Sequence, residues 1–149
     1  MTPTRIVIGI GNPLRGDDGI GPALVADLAA DPPSEVELRV SGGDPFDLIT
    51  AWTGAGHAVV VDAAQTGQAP PGTIHRWERR LTPGVAHVGS HGLGLAEAIA
   101  ISDVLGRTPR EFVVLAVEVG SVGFGATLSA EVARALPELR RAAELALRA

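Results

Sequence analysis

Apolar residues in this chain cluster in three continuous runs, with longer-period segments between them. Thr4–Ile10, His57–Ala63 and Glu111–Val119 are nearly uninterrupted. Runs of this length read as strands buried on both faces, as in the middle of a parallel sheet. Glu35–Val40 differs, because Val36, Leu38 and Val40 alternate with Glu35, Glu37 and Arg39. That alternation predicts a half-exposed strand. Thr73–Arg79 alternates less cleanly and reads as an edge strand.

Helical spacing fills the intervals. From Asp18 to about Ala30, Ile20, Ala23, Leu24 and Leu28 share one face, and Pro32-Pro33 ends the segment. Asp44-Pro45 offers an N-cap and a first helical residue for a short helix to about Thr53. Ser90 is placed to cap a helix that opens at His91 and ends at Leu105, with Gly106 just beyond it. Ser129 is placed to cap a last helical region carrying Val132, Leu136, Leu139, Ala143 and Leu147, divided or kinked by Pro137. The order of elements predicts an α/β three-layer sandwich: a mostly parallel, twisted sheet of about five strands with helices on both faces.

Composition narrows what such a domain could do. The 149 residues are 46% hydrophobic, which excludes a disordered chain and predicts a single domain over residues 1–149. Aromatic residues make up only 3%, so the core must be aliphatic. All twelve basic residues are Arg and the net charge is −5, which argues against a nucleic-acid partner. With no Cys, disulfides, thiolate metal sites and cysteine nucleophiles are excluded. No signal peptide and no apolar run of membrane-spanning length are evident, so a cytoplasmic, membrane-independent monomer is expected.

The chemistry concentrates after the first strand. Ile6–Ile10 leads into Gly11-Asn12-Pro13-Leu14-Arg15-Gly16-Asp17-Asp18-Gly19-Ile20-Gly21. A glycine-rich turn between strand and helix suggests a phosphate cradle, but Asp17 and Asp18 would repel an anion and attract a cation. One of the two can cap the following helix, and the other is then a site candidate. Asp62, at the end of the second buried strand, falls at the carboxyl edge of the sheet, where sites of open α/β folds lie. Its plainer reading is a turn or cap residue.

Of the four histidines, His57 belongs to the opposite edge of the sheet. His75 reads as solvated on the edge strand, and His87 stays open in a Pro/Gly-bounded loop. His91 opens a helix, where the helix dipole keeps the ring neutral and able to bind metal. Asp18, Asp62 and His91 all fall on one edge of the sheet. One imidazole and two carboxylates form a partial nitrogen/oxygen site for a divalent ion such as Ni²⁺ or Zn²⁺.

At this point the chain resembles the hydrogenase maturation endopeptidases. The marks are Gly9–Gly21, Gly42-Gly43, Val61-Asp62-Ala63, Ser90–Leu95, Val117-Glu118 and Thr127-Leu128-Ser129, in order along nearly the whole chain. The resemblance implies an endopeptidase that removes the C-terminal peptide of the nickel-loaded large-subunit precursor of a [NiFe] hydrogenase. It implies that nickel is supplied by the precursor, held there by the precursor's thiolates. It carries the nickel-recognising roles to Asp18, Asp62 and His91; some family members have Glu where this chain has Asp18.

For bond cleavage, water attack with Asp18 or Asp62 as base is expected, aided by the metal. No His-Glu-x-x-His motif is present and no other cofactor is implied. Three other readings share these features. A peptidyl-tRNA hydrolase would continue Gly-x-Gly-Asn-Pro with Thr-Arg-His-Asn, where this chain has Arg15-Gly16-Asp17-Asp18, and would want a basic surface. A dinucleotide-binding domain would have glycine where Leu14 stands. A non-enzymatic nickel-sensing or chaperone module would use the same three residues.

Overall fold

The computed structural model describes residues 4–78, 92–120, 125 and 127–148, with only the backbone of residues 92 and 93. Five strands form one sheet: β1 (Arg5–Ile10), β2 (Val36–Ser41), β3 (His57–Ala64), β4 (Ile74–Glu78) and β5 (Glu111–Glu118). Their order is β2-β1-β3-β5-β4. All neighbours are parallel except β4, which runs antiparallel to β5. This is the expected mostly parallel sheet, with the edge strand reversed.

The helices are α1 (Ile20–Ala30), α2 (Pro45–Trp52), α3 (Gly92–Leu105), α4 (Ala130–Arg134) and α5 (Leu136–Arg148). Side chains alternate across each strand, so every central strand feeds two cores. Val7, Val59, Val61, Val113, Leu115 and Val117 meet α1, α4 and α5 on one face. Ile6, Ile8, Val60, Ala64, Val114 and Ala116 meet α2 and α3 on the other. Each fully buried aliphatic chain is worth about 1.5–3 kcal/mol relative to exposure, so a continuous apolar strand between two helical layers is the stable arrangement. Among the described residues no helix is long and apolar enough to cross a membrane.

Local signals behave as their chemistry demands. The Asp44 carboxylate accepts the Asp47 amide at 3.2 Å and opens α2, with Pro45 as its first residue. Gly106, at φ +67°, closes α3. Its amide reaches the Asp103 carbonyl, and the Arg107 amide reaches the Ser102 carbonyl at 2.9 Å, the paired bonds of a Schellman end. The last helical region breaks at Ala135, which leaves Pro137 in the first turn of α5, where its missing N–H costs nothing.

Two expectations shift. The segment expected to be helical from Asp18 begins instead with a 3-10 turn, Gly16–Gly19, and the α-helix starts at Ile20. β3 continues two residues past Asp62, to Ala64, because its pairing with β5 runs on to Glu118. The expected Ser90 cap lies outside the described residues.

Candidate active site at the carboxyl edge of the sheet

Glycines bring the first loop onto the sheet. A Cβ on Gly9 would strike the Gly21 carbonyl, and one on Gly21 would strike the Ile10 carbonyl and lie 2.7 Å from that of Val61. The start of α1 is therefore seated directly on the ends of β1 and β3. Gly21, twelve positions beyond Gly9, permits the close helix–strand approach that the third glycine of a dinucleotide fingerprint would permit. Gly11 lies at φ +145°, and a side chain there would collide with the Asp18 carbonyl.

The loop itself is closed by hydrogen bonds. The Asn12 side chain accepts the Leu14 amide at 2.9 Å, and the Asn12 amide donates to Asp18 Oδ2 at 3.0 Å. A bridge between Arg15 and Gly125 joins this loop to the segment after β5, with the Gly16 amide 2.6 Å from the Gly125 carbonyl.

Neither aspartate caps the helix that follows. No side chain caps the 3-10 turn or α1. Asp17 instead reaches the start of α4: its Oδ1 accepts the Ser129 amide at 2.6 Å and its Oδ2 accepts the Ser129 hydroxyl at 2.9 Å. Ser129 occupies the expected N-cap position, but its hydroxyl is spent on Asp17 and makes no cap bond. The expectation of capping within one segment fails because a partner far along the chain competes successfully for Asp17.

Asp18 and Asp62 are both fully buried. Asp18 lies in the 3-10 turn that packs against β3, near enough for its charge to act on Asp62. Asp62 Oδ1 accepts the Ala63 amide at 2.8 Å, whereas Asp62 Oδ2 has no hydrogen-bond partner among the described residues. Burial first, and the Asp18 charge in addition, push the Asp62 carboxyl well above the usual carboxylate range, against the opposing Ala63 bond. A buried carboxyl oxygen without a donor, beside a second acid, is a place where a cation would be stabilised. Among the described residues no three ligating side chains converge on one point. His91 and His87 lie outside the described residues.

The amino end of α3 is seated at this same edge. A Cβ on Gly94 would lie 2.5 Å from the Gly43 carbonyl, just past the carboxyl end of β2. Gly43 itself sits at φ +100°. His57 is at the other end of the sheet, as expected, with Nε2 2.8 Å from the Ala146 carbonyl of α5.

His75 departs from its reading as solvated. Its Nε2 is 3.0 Å from Glu118 Oε1, and its ring stacks on Trp77 with centroids 6.0 Å apart. Glu118 is buried at the end of β5 and also accepts the Thr66 and Gly67 amides and the Thr66 hydroxyl. Burial alone would raise the Glu118 carboxyl; the bonds from Thr66, His75 and Gly67 outweigh it and hold the group below its ordinary range. The advance signals for this cluster are the acid that closes the apolar run of β5 and the Val117-Glu118 pair among the marks of the resemblance.

An α/β sheet with an acidic pair in the crevice at its carboxyl edge defines the class: a protein whose site is built from loops following parallel strands. The chain belongs to the hydrogenase maturation protease family, whose model matches residues 22–148. The hydrogenase expression/formation protein HupD of Thiocapsa roseopersicina is 32% identical over 95% of this chain and 67% of its own length. The hydrogenase 2 maturation protease of Escherichia coli K12 is 26% identical over 90% of this chain and 87% of its own. Among solved structures, the hydrogenase maturating endopeptidase HybD from E. coli superposes with a TM-score of 0.86, at 26% identity, over 97% of this chain and 92% of that one. The resemblance read from the motifs is borne out, and with it the α/β fold and assignment to the endopeptidases, hydrolases that cut protein chains.

Proposed function

We propose that this protein removes the C-terminal peptide from the nickel-loaded large-subunit precursor of a [NiFe] hydrogenase. The observation that carries the reading is the pair Asp18 and Asp62, with Asp62 Oδ2 left without a hydrogen-bond donor among the described residues. Such a pair suits a cation that arrives already held by other ligands. Nickel is then cargo of the substrate, and hard oxygen ligands complete a shell begun by the precursor's thiolates. His91 is the proposed third ligand; it immediately precedes α3, whose Gly94 is seated at the carboxyl edge.

Nickel in the precursor supplies positive charge that draws the substrate to the acidic crevice and polarises a nearby carbonyl. The chain's own groups handle protons. One carboxylate of the pair takes a proton from the attacking water and returns it to the amine nitrogen as the C–N bond breaks. A new carboxylate and a new amino terminus result. Because an ionised Asp62 is disfavoured without a cation, the nickel-free precursor meets a site poorly prepared to receive it.

The test is to incubate the purified chain with nickel-loaded and nickel-free precursor and weigh the products. Shortening of the loaded form alone is expected. Cleavage of nickel-free precursor under chelation overturns the nickel requirement. Binding of loaded precursor without cleavage would favour a nickel-sensing module.

A further inference from the structure

The connection from β3 to β4, residues 65–73, is held by one residue of another strand. Glu118, the last residue of β5, binds it with every polar group it has. Its amide donates to the Thr73 carbonyl and its carbonyl accepts the Gly72 amide, both at 2.8 Å. Its carboxylate accepts the Thr66 and Gly67 amides and the Thr66 hydroxyl. The His75 ring, on the strand that the connection leads into, meets the same carboxylate. Within the loop, the Gln68 amide donates to the Thr66 hydroxyl, and Thr73 donates to the Pro70 carbonyl through both its amide and its hydroxyl. The connection is thus fixed at its start and at its return.

Holding a surface loop in this way is costly. A carboxylate out of water is destabilising unless donors meet its charge. Glu118 is 1% exposed, and its carboxyl still lies below its ordinary range, so it is ionised at neutral pH. The outward side chains of the loop gain no burial in return, since Gln65 and Gln68 are exposed. What the buried charge adds is a fixed loop shape, which lowers the ordering cost when a partner binds.

The loop stands beside the acidic pair. In the register of β3 and β5, Ala64 lies opposite Glu118 and Asp62 opposite Ala116. Glu118 is therefore one strand over and two residues on from Asp62, about 8 Å away. Asp62, Ala63 and Ala64 have no exposed surface, and Gln65 is the first exposed residue beyond them. A partner that approaches this edge above Asp62 meets the loop first. There it finds two uncharged side-chain amides, each able to donate and to accept. That chemistry suits the main chain of a polypeptide, which also offers one donor and one acceptor per residue.

Resting on the function proposed above, we infer that Gln65 and Gln68 bind the main chain of the precursor where it approaches the acidic pair, on a loop that Glu118 holds ready. Glu118 and Thr66 are positioning residues that act through the loop.

The test separates contact from scaffold. Gln65→Ala and Gln68→Ala remove only exposed side chains, so the double variant should melt like wild type. In processing of nickel-loaded precursor it is expected to raise KM about tenfold with kcat within about twofold, the scale of one or two hydrogen bonds. An unchanged KM overturns the proposal. Thr66→Val keeps the shape of the side chain but removes the hydroxyl that Glu118 binds; KM should rise several-fold, and Thr66→Ser should restore it. A lower melting temperature in Thr66→Val with an unchanged KM would make the clamp structural alone and overturn the positioning role. Calorimetric titration of the same precursor gives a reading independent of cleavage. There the double variant is expected to weaken Kd about tenfold, and an equal Kd overturns the contact. Binding without cleavage by the wild-type chain would refute the protease reading alone, and neither binding nor cleavage would refute both.

Discussion

Asp17 and Ser129 are 112 positions apart and are joined by two hydrogen bonds, from the Ser129 amide and from its hydroxyl. With the bridge between Arg15 and Gly125, they tie the first loop of the chain to the segment after the last strand. Asp18 is therefore presented by a loop held on both sides, and its neighbour in sequence does the holding.

This relationship predicts different outcomes for two substitutions. Asp17→Ala strands the Ser129 amide and is expected to cost about 1–3 kcal/mol. At about 2–4 °C per kcal/mol for a chain of this size, the loss is readable in thermal unfolding. Asp17→Asn can accept the amide with Oδ1 and donate its amide hydrogen to the hydroxyl, so it should stay within about 1 kcal/mol of wild type. Processing by Asp17→Asn should remain substantial. Equal destabilisation by both would mean that charge, not hydrogen bonding, secures the contact.

Asp62 is expected to weaken the fold while serving the site. Its carboxyl is raised by burial and by the Asp18 charge, so the folded chain holds a proton that the unfolded chain releases above about pH 3.9. Stability from this group therefore falls as pH rises from there through the folded value, and the penalty is complete above it. Asp62→Asn removes the penalty, so it should melt higher than wild type at neutral pH and converge with it below about pH 3.9. Cleavage should fall by at least about 10²-fold, the scale of a lost acid–base group. Paired melting curves at pH 3.5 and 7.5 check this; lower stability of the variant at pH 7.5 would contradict it.

The seat of α1 admits no side chain at Gly21. Gly21→Ala forces a methyl group into the Ile10 and Val61 carbonyls, and a loss at or above about 3 kcal/mol is expected. Gly42→Ala meets nothing within 4 Å, so a change within about 0.5 kcal/mol is expected. Chemical denaturation of both variants distinguishes a packing requirement from a general intolerance of alanine in glycine-rich loops.

Two histidines should separate stability from activity. His57 ties the amino end of β3 to the Ala146 carbonyl of α5, far from the acidic pair. His57→Ala should lower stability by about 1–3 kcal/mol and leave kcat/KM for precursor within about twofold. His91→Ala, at the proposed third ligand, should reduce processing by orders of magnitude with little change in melting temperature. If His57→Ala removed activity without loss of fold, the carboxyl edge would be the wrong place for the site.

Much of the architecture was legible because it is written in local periodicity. The apolar runs at β1, β3 and β5 are buried on both faces, and the alternation at β2 marks a strand that is only half-buried, through Val36 and Leu38, with Val40 exposed. Asp44, Gly106 and Pro137 act through the backbone within a few residues, so their effects are readable in place. Asp18 and Asp62 could be assigned to one edge because strand ends in a parallel sheet share a direction.

What local pattern cannot encode is the partner a polar side chain takes from a distant segment. Asp17 and Asp18 are adjacent acids with the same intrinsic capping ability, and only the closure of the post-β5 segment onto the first loop sends one to Ser129 and the other to the crevice. His75 reads as a solvated edge residue until β4 reverses and pairs with β5, which sets it beside Glu118. The raised carboxyl of Asp62 likewise requires burial and a neighbouring charge supplied by another loop. Periodicity, glycine placement and strand-end chemistry thus determined the scaffold and the edge that carries the site. Pairing across the sheet decided which acid is anchored, which is strained, and which histidine acquires a carboxylate, because desolvation and charge act over distances in space rather than along the chain.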